Sequence, residues 1–166
     1  EWRRKNNDNP FPLAYDSSLE QWAEQLPDVD ASIASSEGRT DLQHLHFVTI
    51  DPRDAKDFDD AICLEEHSHG RTLWVAIADV AHYVAKDSSL DATAQARATS
   101  VYLPHAVLPM LPFRLADDLC SLRANVPRLA MVIEMVLDRD NNVASSTAHE
   151  AVILVKENLA YEETLD

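Results

Sequence analysis

The sequence predicts a mixed α/β fold of the α+β kind, in which helices flank a mixed, largely antiparallel sheet. Two observations lead to this prediction. After residue 40, runs of aliphatic and β-branched residues recur and are separated by turn-forming residues. Among them lies one segment, residues 90–100, with the capping signals of a helix. A length of 166 residues suits one domain, or part of a larger one.

The first 40 residues are predicted to be a lead-in with one helix and a linker. Residues 18–26 carry apolar side chains at helical spacing, which indicates a short amphipathic helix. Ser17, followed three residues later by Glu20, fits a capping box at its start. Residues 31–40 are rich in Ser and Ala and are predicted to be a flexible linker.

Strands and turns dominate the remainder. The predicted strands are residues 46–50, 61–66, 72–79, 129–138 and 147–155. Two turn signals, His67–Gly70 and Asp138–Asn142, predict that the flanking strands form hairpins.

The segment after the second pair of strands is predicted to be a helix followed by a proline-rich crossing. Ser88 or Ser89 can cap the helix, and Asp91 favours its positive N-terminal end. Residues 104–112 hold too many prolines for a regular helix. We expect this stretch to cross the sheet and to bring Tyr102 close to the acidic ends of the strands.

Composition excludes several classes of protein. No apolar run approaches the ~20 residues that a membrane-spanning helix needs. Only two glycines are present, which excludes a phosphate-binding glycine-rich loop, and no serine lies in a nucleophile elbow. Cys63 and Cys120 form no CxxC pair and are predicted to be buried thiols, which suits a cytoplasmic protein. The start at Glu1, without an initiator Met or a signal region, is typical of a chain taken from the middle of a longer one.

A cluster of carboxylates is the main functional signal. Asp51, Asp57, Asp59 and Asp60 fall within one short segment between two predicted strands. Two unit charges about 4 Å apart repel by about 4 kcal/mol at an effective dielectric near 20. The cluster fits either a solvated acidic loop or a site for a hard cation such as Mg²⁺. The apolar strands at both ends of the segment favour the cation site, and a site of this type suggests metal-assisted phosphoryl chemistry.

Two other polar residues, Asp79 and His82, are candidates for the same site. Asp79 ends an apolar strand, and we favour a capping role over metal binding. His82 lies beside apolar residues, and we favour a packed, hydrogen-bonded imidazole over a catalytic base.

The sequence resembles the ribonuclease II / ribonuclease R family, whose catalytic domain is the RNB domain. The matching motifs occur in family order over about residues 41–166. They are Thr49–Ala61, Trp74–Val84, Thr99–Pro104, Leu108–Pro112, Leu119–Leu122 and Lys156–Tyr161. The resemblance implies that residues 41–166 are the N-terminal part of an RNB catalytic domain, preceded by the lead-in of residues 1–40.

The resemblance also implies an activity and assigns roles to six residues. Members of the family hydrolyse single-stranded RNA from its 3′ end and release nucleoside 5′-monophosphates, with Mg²⁺ as cofactor; Mn²⁺ can substitute. Asp51, Asp57 and Asp60 match the metal ligands, and Asp59 matches the carboxylate on which catalysis most depends. Tyr102 matches an aromatic that stacks on bases near the RNA 3′ end, and Tyr161 matches a tyrosine close to the scissile phosphate.

The charge of the chain leaves an alternative open. The net charge is −15, whereas proteins that bind nucleic acid normally present a basic surface. The later arginines of the family's catalytic domain and its RNA-holding domains have no match here, so the partners implied are single-stranded RNA and the remainder of the protein. The alternative is a catalytically incomplete fragment that acts as a scaffold or as a metal-binding module.

Overall fold

The computed structural model describes residues 15–30, 32–103 and 106–164. Residues 1–14 of the predicted lead-in, together with Ala31, Pro104 and His105, lie outside the described residues. Within the described part of the chain, no helix is both long enough and apolar enough to cross a membrane.

Two short helices precede the sheet. Helix α1 spans Ser17–Glu24, and the carboxylate of Asp16 accepts a hydrogen bond from the backbone N–H of Ser18 at 2.8 Å. The predicted cap at Ser17 was therefore wrong by one residue, because an aspartate immediately upstream offers a charged acceptor to the free N–H groups of the first turn. Helix α2 spans Ile33–Glu37 and ends at Gly38, which adopts a left-handed conformation. The predicted flexible linker is thus partly helical, since Ala34 is buried against Leu129 and Val152.

The sheet contains six strands, and its order is β1-β8-β2-β3-β4-β7. The strands are β1 (Thr40–Asp41), β2 (Phe47–Asp51), β3 (Asp60–His67), β4 (Gly70–Ala78), β7 (Pro127–Leu137) and β8 (Val143–Ala160). Strand β8 pairs with β7 over its first part and with β2 over its last part, so the strand pairings close on themselves. Strands β1 and β2 run parallel to β8, and the other pairings are antiparallel. The prediction of a mixed, largely antiparallel sheet with flanking helices is confirmed.

Both predicted hairpins form. His67 pairs with Gly70 at the turn between β3 and β4. A Cβ added at Gly70 would lie 2.0 Å from the carbonyl oxygen of Leu137, so the neighbouring strand approaches too closely for any side chain there. Asp138 closes the second hairpin by accepting hydrogen bonds from the backbone N–H groups of Asp140 and Asn142, each at 2.9 Å.

Three further helices in the described part of the chain lie among the strands. Helix α3 spans Val80–Tyr83, helix α4 spans Ser89–Arg97, and a π-helix, here called α5, spans Arg114–Leu119. Ser88 caps α4, as predicted, by accepting from the N–H of Asp91 at 3.1 Å. Strands β5 (Val101–Leu103) and β6 (Ala106–Leu108) form a separate antiparallel pair between α4 and α5. The core lies where α4 and α5 pack on the sheet, and its members include Leu90, Leu115, Leu119, Phe47, Val132 and Ile153. Cys63 and Cys120 are both free and buried in this core, as predicted.

Candidate metal and RNA site

The predicted aspartates lie at one end of the sheet. Strand β2 ends at Asp51, and its antiparallel neighbour β3 begins at Asp60. The two residues therefore lie at the same end of the sheet. The loop of residues 52–59 connects them and carries Asp57 and Asp59. The backbone carbonyl of Asp59 accepts a hydrogen bond from the N–H of Ala78 at 3.0 Å, which holds the end of this loop against β4.

A second motif fixes the acidic loop in place. The hydroxyl of Ser121 accepts from the N–H of Phe58 at 3.1 Å and donates to the carbonyl of Lys56 at 2.7 Å. The N–H of Leu122 donates to the carbonyl of Phe58 at 2.8 Å. Ser121 and Leu122 have no exposed surface, so these bonds are shielded from water. The segment after α5 therefore sets the backbone position of the residues on either side of Asp57.

The four carboxylates interact electrostatically. Burial raises the pKa of Asp51, and the side chain of Thr49 partly offsets this by favouring the charged form. The charges of Asp60 and Asp57 raise the pKa of Asp51 further. Burial is also the main cause of the raised pKa of Asp59, and the charges of Asp57, Asp60 and Asp51 add to it. The aspartates that the sequence grouped therefore do meet in space.

One oxygen of the cluster has no partner. The Oδ2 atom of Asp51 is buried and makes no hydrogen bond to any described residue. A buried carboxylate oxygen without a donor is costly unless a cation or an ordered water satisfies it. Oxygen donors of this kind suit Mg²⁺ or Mn²⁺. In the described part of the chain, no group of three or more His, Cys, Asp or Glu side chains is arranged to hold a metal ion. Mg²⁺ usually takes only one or two protein carboxylates and completes its shell with water and phosphate oxygens.

Tyr102 lies against the acidic loop, as the sequence predicted. It lines a cavity of about 750 Å³ together with Asp51, Asp57 and Asp59. Its hydroxyl donates a hydrogen bond to the carboxylate of Asp57. This bond, with a smaller contribution from burial, raises the pKa of Tyr102 to about 12, so the hydroxyl stays a proton donor. The ring itself is 63% exposed and is accessible to a ligand.

Tyr161 lies at the same end of the sheet but outside this cavity. Ala160, the residue before it, pairs with Asp51 across the β8–β2 ladder. Tyr161 then opens a 3₁₀ turn, Tyr161–Glu163, and is 53% exposed. Among the described residues that line the cavity, neither Tyr161 nor Asp60 is included.

Two carboxylates that line the cavity, those of Asp54 and Asp117, were not among the predicted site residues. Asp117 lines the cavity, and burial raises its pKa. The charge of Asp57 raises this pKa further, and that of Lys56 lowers it. Two adjacent aspartates, as at positions 117 and 118, are typical of a solvated helix surface, so the sequence carried no signal for this role. Asp117 lies within the π-helix α5, and π-helical segments are frequent at functional sites.

Asp79 and His82 have the structural roles that we favoured. Asp79 caps α3 by accepting from the N–H of His82 at 3.2 Å and forms a buried ion pair with Arg39 at 2.9 Å. The Nδ1 atom of His82 lies 3.2 Å from a guanidinium nitrogen of Arg39, and its ring contacts Tyr83 edge to face. Both residues thus tie α2 and α3 together.

Comparison with known proteins shows the family of the chain. A family model for the RNB domain matches residues 39–166. The chain therefore belongs to the RNB-domain family. It is 43% identical over 152 residues to a ribonuclease R from Vibrio parahaemolyticus, a match that covers 91% of this chain and 18% of the relative. It is 50% identical over 126 residues to a ribonuclease R from Thermotoga maritima, which covers 75% of this chain and 18% of the relative.

Solved structures show the same fold. A Mycoplasma genitalium RNase R in complex with ribose-methylated single-stranded RNA superimposes with a TM-score of 0.86 at 38% identity. This match covers 93% of the present chain and 24% of that chain. The chain thus spans about a fifth of the length of the curated relatives that it matches.

Proposed function

We propose that this chain is the part of a 3′-to-5′ exoribonuclease that holds the catalytic cation, and that the whole protein hydrolyses single-stranded RNA to nucleoside 5′-monophosphates. The observation that carries the proposal is the buried, unpartnered Oδ2 atom of Asp51 within a group of interacting carboxylates. Membership of the RNB-domain family and the relatives named ribonuclease R support the reaction class. The RNA bound to the Mycoplasma genitalium enzyme supports single-stranded RNA as the substrate.

The residues have separate roles in this proposal. Asp51, Asp57 and Asp60 would hold Mg²⁺, or Mn²⁺ in its place, one or two of them by direct contact and the rest through its bound waters. The bound ion would stabilise charge on the phosphate and help to activate water. Asp59 would orient the attacking water and accept its proton. Tyr102 would stack on a base near the 3′ end, and Tyr161 would approach the phosphate from the end of β8.

The remainder of the catalytic domain and the RNA-binding domains are proposed partners of this chain. Asp118 forms ion pairs with Arg114, Arg123 and Arg128, so these guanidinium groups are engaged within the chain. We therefore infer that positive charge for the RNA backbone comes from elsewhere in the protein. The two free thiols are compatible with the cytoplasm as the place of action.

The test is digestion of a 5′-labelled oligoadenylate and a circular RNA of the same composition by the longest natural gene product that contains this chain, with Mg²⁺. The expected result is stepwise shortening of the linear RNA from its 3′ end, release of 5′-monophosphates, and resistance of the circle. Chelation and Asp59→Asn should each abolish shortening. Cleavage of the circle, products that carry 3′-phosphates, or shortening that survives chelation would contradict the proposal.

The alternative is a scaffold or a metal-binding module without nuclease activity. It predicts Mn²⁺ binding by the acidic cluster but no RNA digestion, even by the longest gene product. The same assay, combined with calorimetric titration of Mn²⁺, therefore separates the two functions.

A further inference from the structure

An exposed apolar surface adjoins the acidic cavity. Its members are Tyr102, Leu103, Val107 and Phe113, which are 63%, 47%, 40% and 45% exposed. All four line the cavity that also contains Asp57 and Asp59. Single exposed apolar residues are ordinary on a protein surface, but a contiguous group beside a candidate site indicates a ligand-binding surface. We call this group the apolar wall.

Phe113 connects two cavities. Besides the acidic cavity, it lines a second cavity of about 490 Å³, which it shares with Val107, Tyr15 and Arg97. The guanidinium of Arg97 lies over the ring of Tyr15, 4.1 Å from its centre. The apolar wall therefore leads from the predicted cation site to a neighbouring aromatic cavity, and Phe113 stands between them.

The ring of Phe113 is presented by a firmly held backbone. Phe113 caps α5 and follows Pro112, and Leu115 donates a backbone hydrogen bond to the carbonyl of Pro112 at 2.9 Å. Leu115 is fully buried. The next residue, Arg114, donates to the carbonyl of Leu26 at 3.0 Å and to Asp28 at 2.7 Å. An exposed aromatic on such a support is well placed for stacking, because little conformational entropy is lost when a ligand binds.

We propose that Phe113 is a second stacking platform for single-stranded RNA, which holds a base upstream of the one that stacks on Tyr102. The inference rests on the proposed function and extends it to a base-binding subsite. A planar, uncharged base suits this surface, because the apolar wall offers ring and aliphatic contacts and the nearby carboxylates repel phosphate. Stacking requires no particular base, so the subsite would lengthen the bound RNA without selecting its sequence.

The test uses the longest natural gene product that contains this chain, in an Asp59→Asn background so that RNA persists during the measurement. The probes are a 5′-labelled oligoadenylate and a labelled diadenylate that is too short to reach past Tyr102. Phe113→Ala should weaken binding of the longer RNA by about 5- to 100-fold, the range for loss of one base–aromatic stack. It should leave diadenylate binding unchanged, and Phe113→Trp should restore binding of the longer RNA.

Two further variants separate the possible outcomes. Trp22→Ala removes an exposed aromatic that is not among the described residues lining either cavity, and it should not alter binding of either RNA. Tyr102→Ala should weaken binding of both RNAs. If Tyr102→Ala weakens binding and Phe113→Ala does not, the subsite is refuted and the proposed function stands. If Phe113→Ala changes only self-association or solubility, another protein surface covers the wall and the subsite is likewise refuted. If neither the parent protein nor any variant binds single-stranded RNA, the proposed function fails as well.

Discussion

Replacement of Tyr102 by Phe should tighten cation binding by the acidic cluster. The hydroxyl of Tyr102 donates to the carboxylate of Asp57, which is one of the predicted metal ligands. A cation that takes up this carboxylate must displace or weaken the hydrogen bond, because both draw on the same electron pairs. Removal of the hydroxyl therefore removes a competitor while the ring and the carboxylate remain.

The size of the effect follows from the strength and exposure of the bond. A hydrogen bond to a charged group contributes about 1.5–3 kcal/mol when it is shielded from water. Tyr102 is 63% exposed, so solvent weakens the bond. A contribution of about 0.7–1.4 kcal/mol remains, which corresponds to an increase in affinity of about three- to tenfold.

Calorimetric titration of the isolated chain with Mn²⁺ measures this directly. The matched control is Tyr15→Phe, which deletes a hydroxyl that donates to the carbonyl of Met110 instead of to the cluster. Tyr102→Ala should also tighten Mn²⁺ binding, but it should weaken RNA binding by about 1–3 kcal/mol because the stacking ring is lost. Tyr102→Phe should leave RNA binding nearly unchanged. The hydroxyl and the ring would thereby be assigned separate functions.

A spectroscopic readout gives an independent check. The pKa of Tyr102 is raised from 10.0 to about 12 chiefly by the hydrogen bond to Asp57. Cation binding should remove this bond and neutralise nearby charge, so the pKa should fall back toward its ordinary value. The measured quantity is the tyrosinate absorbance of the wild type minus that of Tyr102→Phe at one fixed, mildly alkaline pH. A lower pKa of Tyr102 means more tyrosinate, so this difference should rise on addition of metal. Unchanged or weaker Mn²⁺ affinity in Tyr102→Phe would refute the competition and would instead indicate that the hydroxyl orients Asp57 for the ion.

Four other predictions address the site and its support. Asp51→Asn should weaken Mn²⁺ binding at least about tenfold. It removes a unit charge whose interaction with a cation about 4 Å away is worth about 1–4 kcal/mol. Equal calorimetric affinity of the variant and the wild type would contradict the ligand role. Asp59→Asn in the longest gene product should nearly abolish turnover while RNA affinity stays similar or rises. Turnover within about threefold of the wild type, a change of about 0.65 kcal/mol in the barrier, would disprove the catalytic role. Asp79→Asn should lower the free energy of unfolding by about 3 kcal/mol because it leaves the buried charge of Arg39 without its nearest partner, whereas Asp16→Asn at the exposed cap of α1 should leave it nearly unchanged in the same urea titration. The isolated 166-residue chain should digest labelled poly(A) far more slowly than the longest gene product, and comparable 3′-end shortening would show that its catalytic apparatus is already complete.

Local sequence patterns predicted the strands and hairpins because those elements are encoded over short distances. The turn at His67–Gly70 sets the register of the first hairpin. In this register Asp60, the first residue of β3, pairs with Ile77 near the end of β4. The sequence grouped the four aspartates because they are neighbours along the chain, and three of them, Asp51, Asp57 and Asp59, line one cavity. The helix cap at Asp16 was missed because two adjacent residues, Asp16 and Ser17, can each provide the capping oxygen, and only the backbone path decides between them.

The sequence could not predict contributions that depend on long-range packing. Ser121 lies more than sixty residues from the loop that it anchors, and the structure shows that its hydroxyl bonds to both Phe58 and Lys56. Asp117 lines the cavity from α5, a π-helix that is anchored by the buried Leu115 and Leu119. Neither role has a periodicity or a spacing that a local pattern would reveal.

The distribution of charge links the fold to the proposed chemistry. The chain has 14 basic and 29 acidic residues. Six arginines of the described part form ion pairs within the chain: Arg39, Arg53, Arg71, Arg114, Arg123 and Arg128. Asp118 and Asp79, for example, hold guanidinium groups in buried or half-buried ion pairs that stabilise the packing of the helices. Lys56 is the one basic residue among the described residues that line the acidic cavity. Under the proposed function, these carboxylates would face a polyanionic substrate with almost no local compensation. We therefore expect RNA to bind only when a divalent cation occupies the cluster and cationic groups outside this chain hold the phosphates.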